Sequence, residues 1–229
     1  MHDISTSGET VDRVCHELRR PIAAIDAFAE LLSDEVSGPL NAEQKAHLAV
    51  VRRNTQRLSQ SVQDLFVSFY SMANDVPPRL GAHDLESLCF GIAEELDARF
   101  RERDVRLSIL TEGPLVHPRM DESRLRAALV RLLENCLALS GAGDGVQLKL
   151  ALRGEIARIE VRDPGPCLSN EELGRVFDLF YRPERDRFED RGGGGLSICR
   201  ALLESFGARI WAENRAEGTT FLIELPPGG

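Results

Sequence analysis

His16 and Glu17 stand together in the string His16-Glu17-Leu18-Arg19-Arg20-Pro21. A carboxylate beside an imidazole can accept one ring N–H and raise the nucleophilicity of the other nitrogen. His16 lies two residues past the apolar position Val14, on the flank of a helical pattern rather than in its seam. Pro21 cannot donate to the carbonyl of Glu17, so the helix is expected to bend just past the histidine. A histidine so placed suits attack on a group that docks from outside; the plainer alternative is a solvated surface histidine. His2, His47, His83 and His117 have no comparable setting.

Three further constellations suit a phosphorylated ligand. Arg191-Gly192-Gly193-Gly194-Gly195 runs straight into the apolar helical string Leu196-Ser197-Ile198-Cys199. Glycines before a helix N-terminus bare backbone amides at the positive end of its dipole, although four glycines can also be slack. Asp163-Pro164-Gly165-Pro166 closes a strand whose alternate residues Ile159 and Val161 are apolar, so its carboxylate either faces a pocket or makes a turn. Glu134 and Asn135 interrupt an apolar helix, where they either supply oxygens to a phosphate-bridging Mg²⁺ or bond inside the domain.

The elements that must position these residues divide the chain in two. Val11, Val14, Leu18, Ile22, Ile25, Ala29, Leu32 and Val36 recur in steps of three and four, the spacing of a helix face. Leu48, Val51, Thr55, Leu58, Val62, Leu65, Phe69 and Met72 repeat it after a break at Ser37-Gly38-Pro39. Asn41 is the expected N-cap of the second helix, with Gln44 at the capping-box position. Two such helices are about 40 and 50 Å long at ~1.5 Å per residue. A lone pair cannot bury its seam, so an antiparallel hairpin forming a four-helix bundle in a homodimer is expected.

Pro77 and Pro78 end the second helix, giving a helical domain over residues 1–76 and a second domain over 77–229. The second domain alternates. Helices are expected near 84–103, 121–139 and 195–206, and strands near 106–111, 146–153, 156–163, 209–213 and 219–225. The fold class is therefore α+β: a helical hairpin, then an α/β sandwich with its helices on one sheet face. The long polar stretch between Cys167 and Gly195 reads as a functional lid.

Composition removes several classes. With 42% hydrophobic and 28% charged residues the chain is globular rather than disordered. A net charge of −9 argues against nucleic acid as a partner. Among the 28 basic residues only Lys45 and Lys149 are lysines, so phosphate contacts fall to arginine or backbone amides. No run reaches the ~20 apolar residues of a membrane span. The five cysteines are scattered without a CxxC, which points to buried thiols in a reducing, cytoplasmic compartment.

Taken in order, these segments resemble the motif boxes of sensor histidine kinases. His16-Glu17-Leu18-Arg19-Arg20-Pro21 is similar to the H box, Glu134-Asn135 to the N box, and Asp163-Pro164-Gly165-Pro166 to the G1 box. Val176-Phe177-Asp178-Leu179-Phe180-Tyr181-Arg182 is similar to the F box, and Gly193-Gly194-Gly195-Leu196 to the G2 box. The resemblance spans about residues 9–226. It implies a dimerisation and histidine-phosphotransfer domain followed by a Bergerat-type ATP-binding domain. His16 would take the γ-phosphoryl of ATP and pass it to an aspartate of a response regulator, with Glu17 orienting or deprotonating the imidazole. Asn135, with Glu134 beside it, would hold Mg²⁺; Asp163 and Gly165 would face the adenine, and Gly193 and Gly195 the phosphates. Phe177 and Phe180 would anchor the lid, with Arg182 near the transferring phosphate.

The chain departs from that pattern at several positions. Arg131 replaces the first N-box asparagine, Ala138-Leu139 a basic–tyrosine pair, Cys167 the second G1 glycine and Arg191 the first G2 glycine. Gly194 stands where the family has leucine, and Arg20 where it has threonine or asparagine. Two alternatives therefore stand beside the kinase: a degenerate kinase that docks a regulator, and a phosphotransferase charged on His16 by another protein. An unrelated ATPase of the chaperone or mismatch-repair kind fits less well, because those proteins begin with the nucleotide domain.

Overall fold

The computed structural model describes residues 4–72, 77–113, 117–178, 181, 196–216 and 218–226; for 4–16, 57, 60 and 63–72 it describes the backbone. The chain forms two compact units, Met1–Ala73 and Asn74–Gly229. The expected division after residue 76 falls in a stretch outside the described residues.

The first unit is two helices, α1 (Ile4–Ser33) and α2 (Ala42–Met72). α1 runs through Pro21 as one helix. Its last turn closes through Ser33 Oγ, which donates to Ala29 O at 2.9 Å, and Glu35 and Gly38 take positive φ in the connection. The expected capping box at the start of α2 is present: Gln44 N donates to Asn41 Oδ1 (2.8 Å) and Asn41 N to Gln44 Oε1 (2.9 Å). Lys45 meets Glu35 (2.6 Å) and Arg52 approaches Glu30 (3.8 Å), so the helices run antiparallel.

Within the hairpin the two apolar seams divide. Ile22, Ala29, Thr55 and Val62 are buried, whereas Leu18, Ile25, Leu32, Val36, Val51 and Leu58 are exposed. Alternate rungs of each seam therefore close the hairpin and the intervening rungs face outward. Phe28, outside the seam, is 68% exposed.

The second unit is one five-stranded sheet with helices against it. In chain order its elements are β1 (Gly81–Ala82), α3 (Leu85–Glu102), β2 (Arg106–Glu112), β3 (Arg119–Met120), α4 (Glu122–Leu139), β4 (Gly145–Arg153), β5 (Ile156–Asp163), α5 (Asn170–Arg175), α6 (Leu196–Glu204), β6 (Arg209–Arg215) and β7 (Gly218–Glu224). The sheet order is β2-β4-β5-β7-β6. β2 and β4 are parallel, joined across α4, and the other neighbours are antiparallel. β1 and β3 form a separate two-stranded pair.

Local chemistry accounts for the element ends. Asp84 and Asp121 cap α3 and α4 by accepting from Ser87 N and Arg124 N, both at 3.1 Å. Gly154 turns β4 into β5 with φ +65°, a region that disfavours residues bearing a Cβ. α4 then buries Leu125, Leu129, Leu132, Leu133 and Cys136, spaced on one face, in a core shared with Phe100, Leu148, Leu150, Ile159, Val161 and Phe221.

Two details differ from the sequence expectation. The stretch after Cys167 holds a one-and-a-half-turn helix, α5, started by a full Ser169/Glu172 capping box. The periodicity did not reveal it because six residues carry too few apolar positions to define a face. Cys89, Cys136 and Cys199 are buried as expected, but Cys167 is exposed, because it sits in the loop leaving β5 rather than on a strand.

Candidate functional site

The strand β5 explains where Asp163 lies. Ala157, Ile159 and Val161 point into the core, and Asp163 continues that alternation at the strand end. The carboxylate is thus carried to the inner face and is 5% exposed. It accepts from Gly165 N at 3.0 Å, which folds the following loop back over the strand end. A Cβ on Gly165 would meet Asp163 Oδ1 at 3.2 Å, so backbone and carboxylate are close there.

Asn135, on α4, is 8% exposed. Its neighbour Cys136 links the two elements: burial pushes the thiol well above its usual range, and the nearby negative charge of Asp163 adds to the effect. Cys199 on α6 also lies near Cys136 and donates to Ala128 O of α4 at 3.4 Å, so the helix following the glycine run packs against α4. The end of β5, the middle of α4 and the start of α6 therefore converge. A buried carboxylate is an acceptor for an amino-group donor, and the Asn135 carboxamide oxygen is a ligand suited to Mg²⁺. These residues fit an adenine nucleotide with its metal.

The Glu134–Asn135 pair does not act as one unit. The Glu134 carboxylate turns toward α3 and forms an ion pair with Arg99. Successive residues on a helix point about 100° apart, so burying Asn135 directs Glu134 sideways. Phe177 is a core residue, edge-on to Phe221 with centroids 6.2 Å apart. The Arg200 guanidinium lies over the Phe177 ring, 6.0 Å from its centroid, and approaches Asp178 at 3.8 Å. Phe180, Arg182, Gly193 and Gly195 lie outside the described residues.

In the first unit, the backbone of His16 lies in the first half of α1. Glu17 and Arg20 are exposed. His16 and Arg20 are four residues apart and so share a helix face.

Sequence reasoning missed two partners. Arg99, opposite Glu134, is 35 residues away in the chain. Asn214 bonds the backbone of Leu168 across a separation of 46 residues. No local pattern carries either contact, because both are set by how strands and helices are brought together.

Two domains, a helical hairpin bearing a histidine and an α/β sandwich with a buried strand-end aspartate, define the class of protein. Residues 6–68 match the family described as His Kinase A (phospho-acceptor) domain. Residues 120–229 match the family described as Histidine kinase-, DNA gyrase B-, and HSP90-like ATPase. The chain belongs to the sensor histidine kinases and comprises their catalytic core. It is 27% identical over 216 residues to the adaptive-response sensory kinase SasA of Synechococcus sp. (strain JA-3-3Ab), covering 92% of this chain and 57% of that protein. The chain thus spans little more than half the length of that relative. A similar solved structure is full-length ShkA in complex with AMPPNP, with TM-score 0.71 and 27% identity over 96% of this chain and 46% of that one. The histidine kinase ThkA, solved in complex with the response regulator protein TrrA, shares the fold at TM-score 0.69 and 22% identity, over 97% of this chain and 62% of that one.

Proposed function

We propose that this chain is the core of an ATP-dependent protein-histidine kinase that phosphorylates His16 and hands the phosphoryl group to an aspartate of a response regulator. The observation that carries the proposal is the burial of the Asp163 carboxylate at the inner end of β5. In this reading Asp163 accepts the adenine amino group, with Gly165 folding the loop beside it, and Asn135 holds Mg²⁺. The metal, when bound, neutralises charge on the phosphates. Glu134, engaged by Arg99, orients α3 against α4 rather than joining Asn135 at the metal. By resemblance to the family, Gly193 and Gly195 would serve the phosphates, Phe177 and Phe180 would anchor the lid, and Arg182 would serve the transferring phosphoryl group.

His16 then attacks the γ-phosphorus with a ring-nitrogen lone pair, ADP departs, and Glu17 takes the ring proton. A receiver aspartate later attacks the phosphorus, and the P–N bond to His16 breaks. AMPPNP in the ShkA structure and the regulator bound to ThkA support the nucleotide and the partner for this chain. No described helix is long and apolar enough to cross a membrane. A reaction that consumes ATP fits a cytoplasmic location, and the outward seam of the hairpin fits a homodimer.

Calorimetry with a non-hydrolysable ATP analogue and Mg²⁺ tests the nucleotide reading. Ala138 and Leu139 remove a cation and a hydrogen-bonding ring, and a charged hydrogen bond is worth ~1.5–3 kcal/mol, so binding is expected in the high-micromolar range or weaker. Asp163→Asn, which replaces one of the two carboxylate acceptors by a donor and removes the charge, should abolish measurable binding. No binding by the unaltered chain at millimolar analogue would leave a degenerate, regulator-docking module instead.

A further inference from the structure

The loop that leaves Asp163 is tied at its far end to β6. Asn214 of β6 takes both backbone groups of Leu168: Leu168 N donates to Oδ1 at 3.0 Å, and Nδ2 donates to Leu168 O at 2.6 Å. A carboxamide offers a donor and an acceptor side by side in one plane, the arrangement that matches the N–H and C=O of a single residue. Aspartate supplies two acceptors and would face the Leu168 carbonyl with one of them. Serine supplies a single hydroxyl.

The place of Asn214 in the sheet gives the contact its reach. Asn214 pairs with Thr219 across β6 and β7, and Thr219 pairs with Asp163 across β7 and β5. One row of the sheet therefore carries both the aspartate and the residue that holds the end of its loop. Thr219 Oγ1 also donates to Asn214 Oδ1 at 3.3 Å, which fixes the carboxamide's orientation. Beside this row Gly218 has φ +129°, and a Cβ there would run into the carbonyl oxygens of Asp163 and Gly165. The β6–β7 turn thus presses on the start of the loop while Asn214 holds its end. Leu168 itself is buried in the core, so the tie is to a fixed point.

We propose that Asn214 is a positioning residue for base recognition: by clamping Leu168 it holds the Asp163–Leu168 loop, and with it the Asp163 carboxylate, in the geometry that selects adenine over guanine. The proposal rests on the nucleotide-binding reading of Asp163. A purely structural staple would lower stability without altering the preference between bases.

The test uses the full chain and non-hydrolysable ATP and GTP analogues, with dissociation constants measured by calorimetry. Asn214→Ala should weaken the ATP analogue by about tenfold and leave the GTP analogue unchanged, so that the preference falls by the same factor. Asn214→Ser should recover part of that loss, and Asn214→Asp none. Hydrogen exchange at the Leu168 amide supplies a readout without nucleotide. It should quicken in Asn214→Ala and stay unchanged in Asp163→Asn, which removes nucleotide binding directly. A folded Asn214→Ala protein with an unchanged preference overturns the clamp, and if Asn214→Ala fails to fold, Asn214→Ser decides on the same criterion. No preference in the unaltered chain, with slow Leu168 exchange, overturns the reading of Asp163 and the clamp with it.

Discussion

Arg20 occupies the position one helical turn after His16, on the same face of α1 and exposed. In the resembled family a small hydroxyl or amide there orients the water that hydrolyses the regulator's phospho-aspartate. Arginine has no acceptor lone pair and cannot take a proton from that water or aim it. The chain is therefore expected to be a feeble phosphatase toward its phosphorylated regulator. Arg20→Thr should raise the dephosphorylation rate at least several-fold, measured as loss of label from purified phospho-regulator. Rapid dephosphorylation by the unaltered chain would contradict this. At this scale the sequence was informative where a residue's role follows from its immediate neighbours. Asp163 could be placed at a strand end from Ile159 and Val161 alone, facing either a pocket or a turn, and the structure buries it on the inner face. The pairing of Glu134 with Arg99 could not be read, because it depends on how α3 lies against α4.

Elements were legible where a cap and a long apolar face agree. Asn41, Asp84 and Asp121 each stand one residue before a helix and bond into its first turn. Asp121 does more than cap. It accepts from Ser123 Oγ (2.6 Å), Arg124 N (3.1 Å) and Arg79 N (2.9 Å), and so also fastens the entry to the second unit. Burial acts to raise its pKa, but these hydrogen bonds and the Arg124 guanidinium outweigh it and hold the carboxyl below the usual range. A depressed pKa contributes stability that is present above the unfolded value of about 4 and is lost as pH falls through the folded value. Urea midpoints of the unaltered chain should thus drop between pH 6 and pH 3. Asp121→Asn should reduce that drop, and Asp121→Ala should cost ~1–2 kcal/mol at pH 6 through the lost cap. An equal pH dependence in Asp121→Asn would show that other carboxylates carry it. By contrast α5 was invisible to periodicity, although its Ser169-to-Glu172 spacing is a capping-box signature that a search for caps alone would have found.

At the scale of the molecule the hairpin leaves an apolar stripe uncovered. Leu18, Ile25, Leu32, Val51 and Leu58 are all exposed in the single chain, with Leu58 at 52%. A stripe of that length on a two-helix unit is the surface a second hairpin would bury. Its existence was readable from the strict three-four spacing, but not which rungs close the hairpin and which face outward, since both sets have the same spacing. Light scattering should find a dimer at micromolar concentration. Replacing Leu32 and Leu58 together by Asp should give a folded or partly folded monomer, because an unpaired charge in the interface costs several kcal/mol. A monomer in the unaltered protein would remove the bundle from the account.

In the proposed reaction His16 is the phosphoacceptor and ATP supplies the phosphoryl group. Incubation with Mg²⁺ and γ-labelled ATP, followed by treatment of the protein with acid and with base, tests it most directly. Slow incorporation is expected of a label that is lost in acid, survives base, and is absent from His16→Gln. A label of the same stability persisting in His16→Gln, or none in the unaltered chain with nucleotide bound, would contradict it.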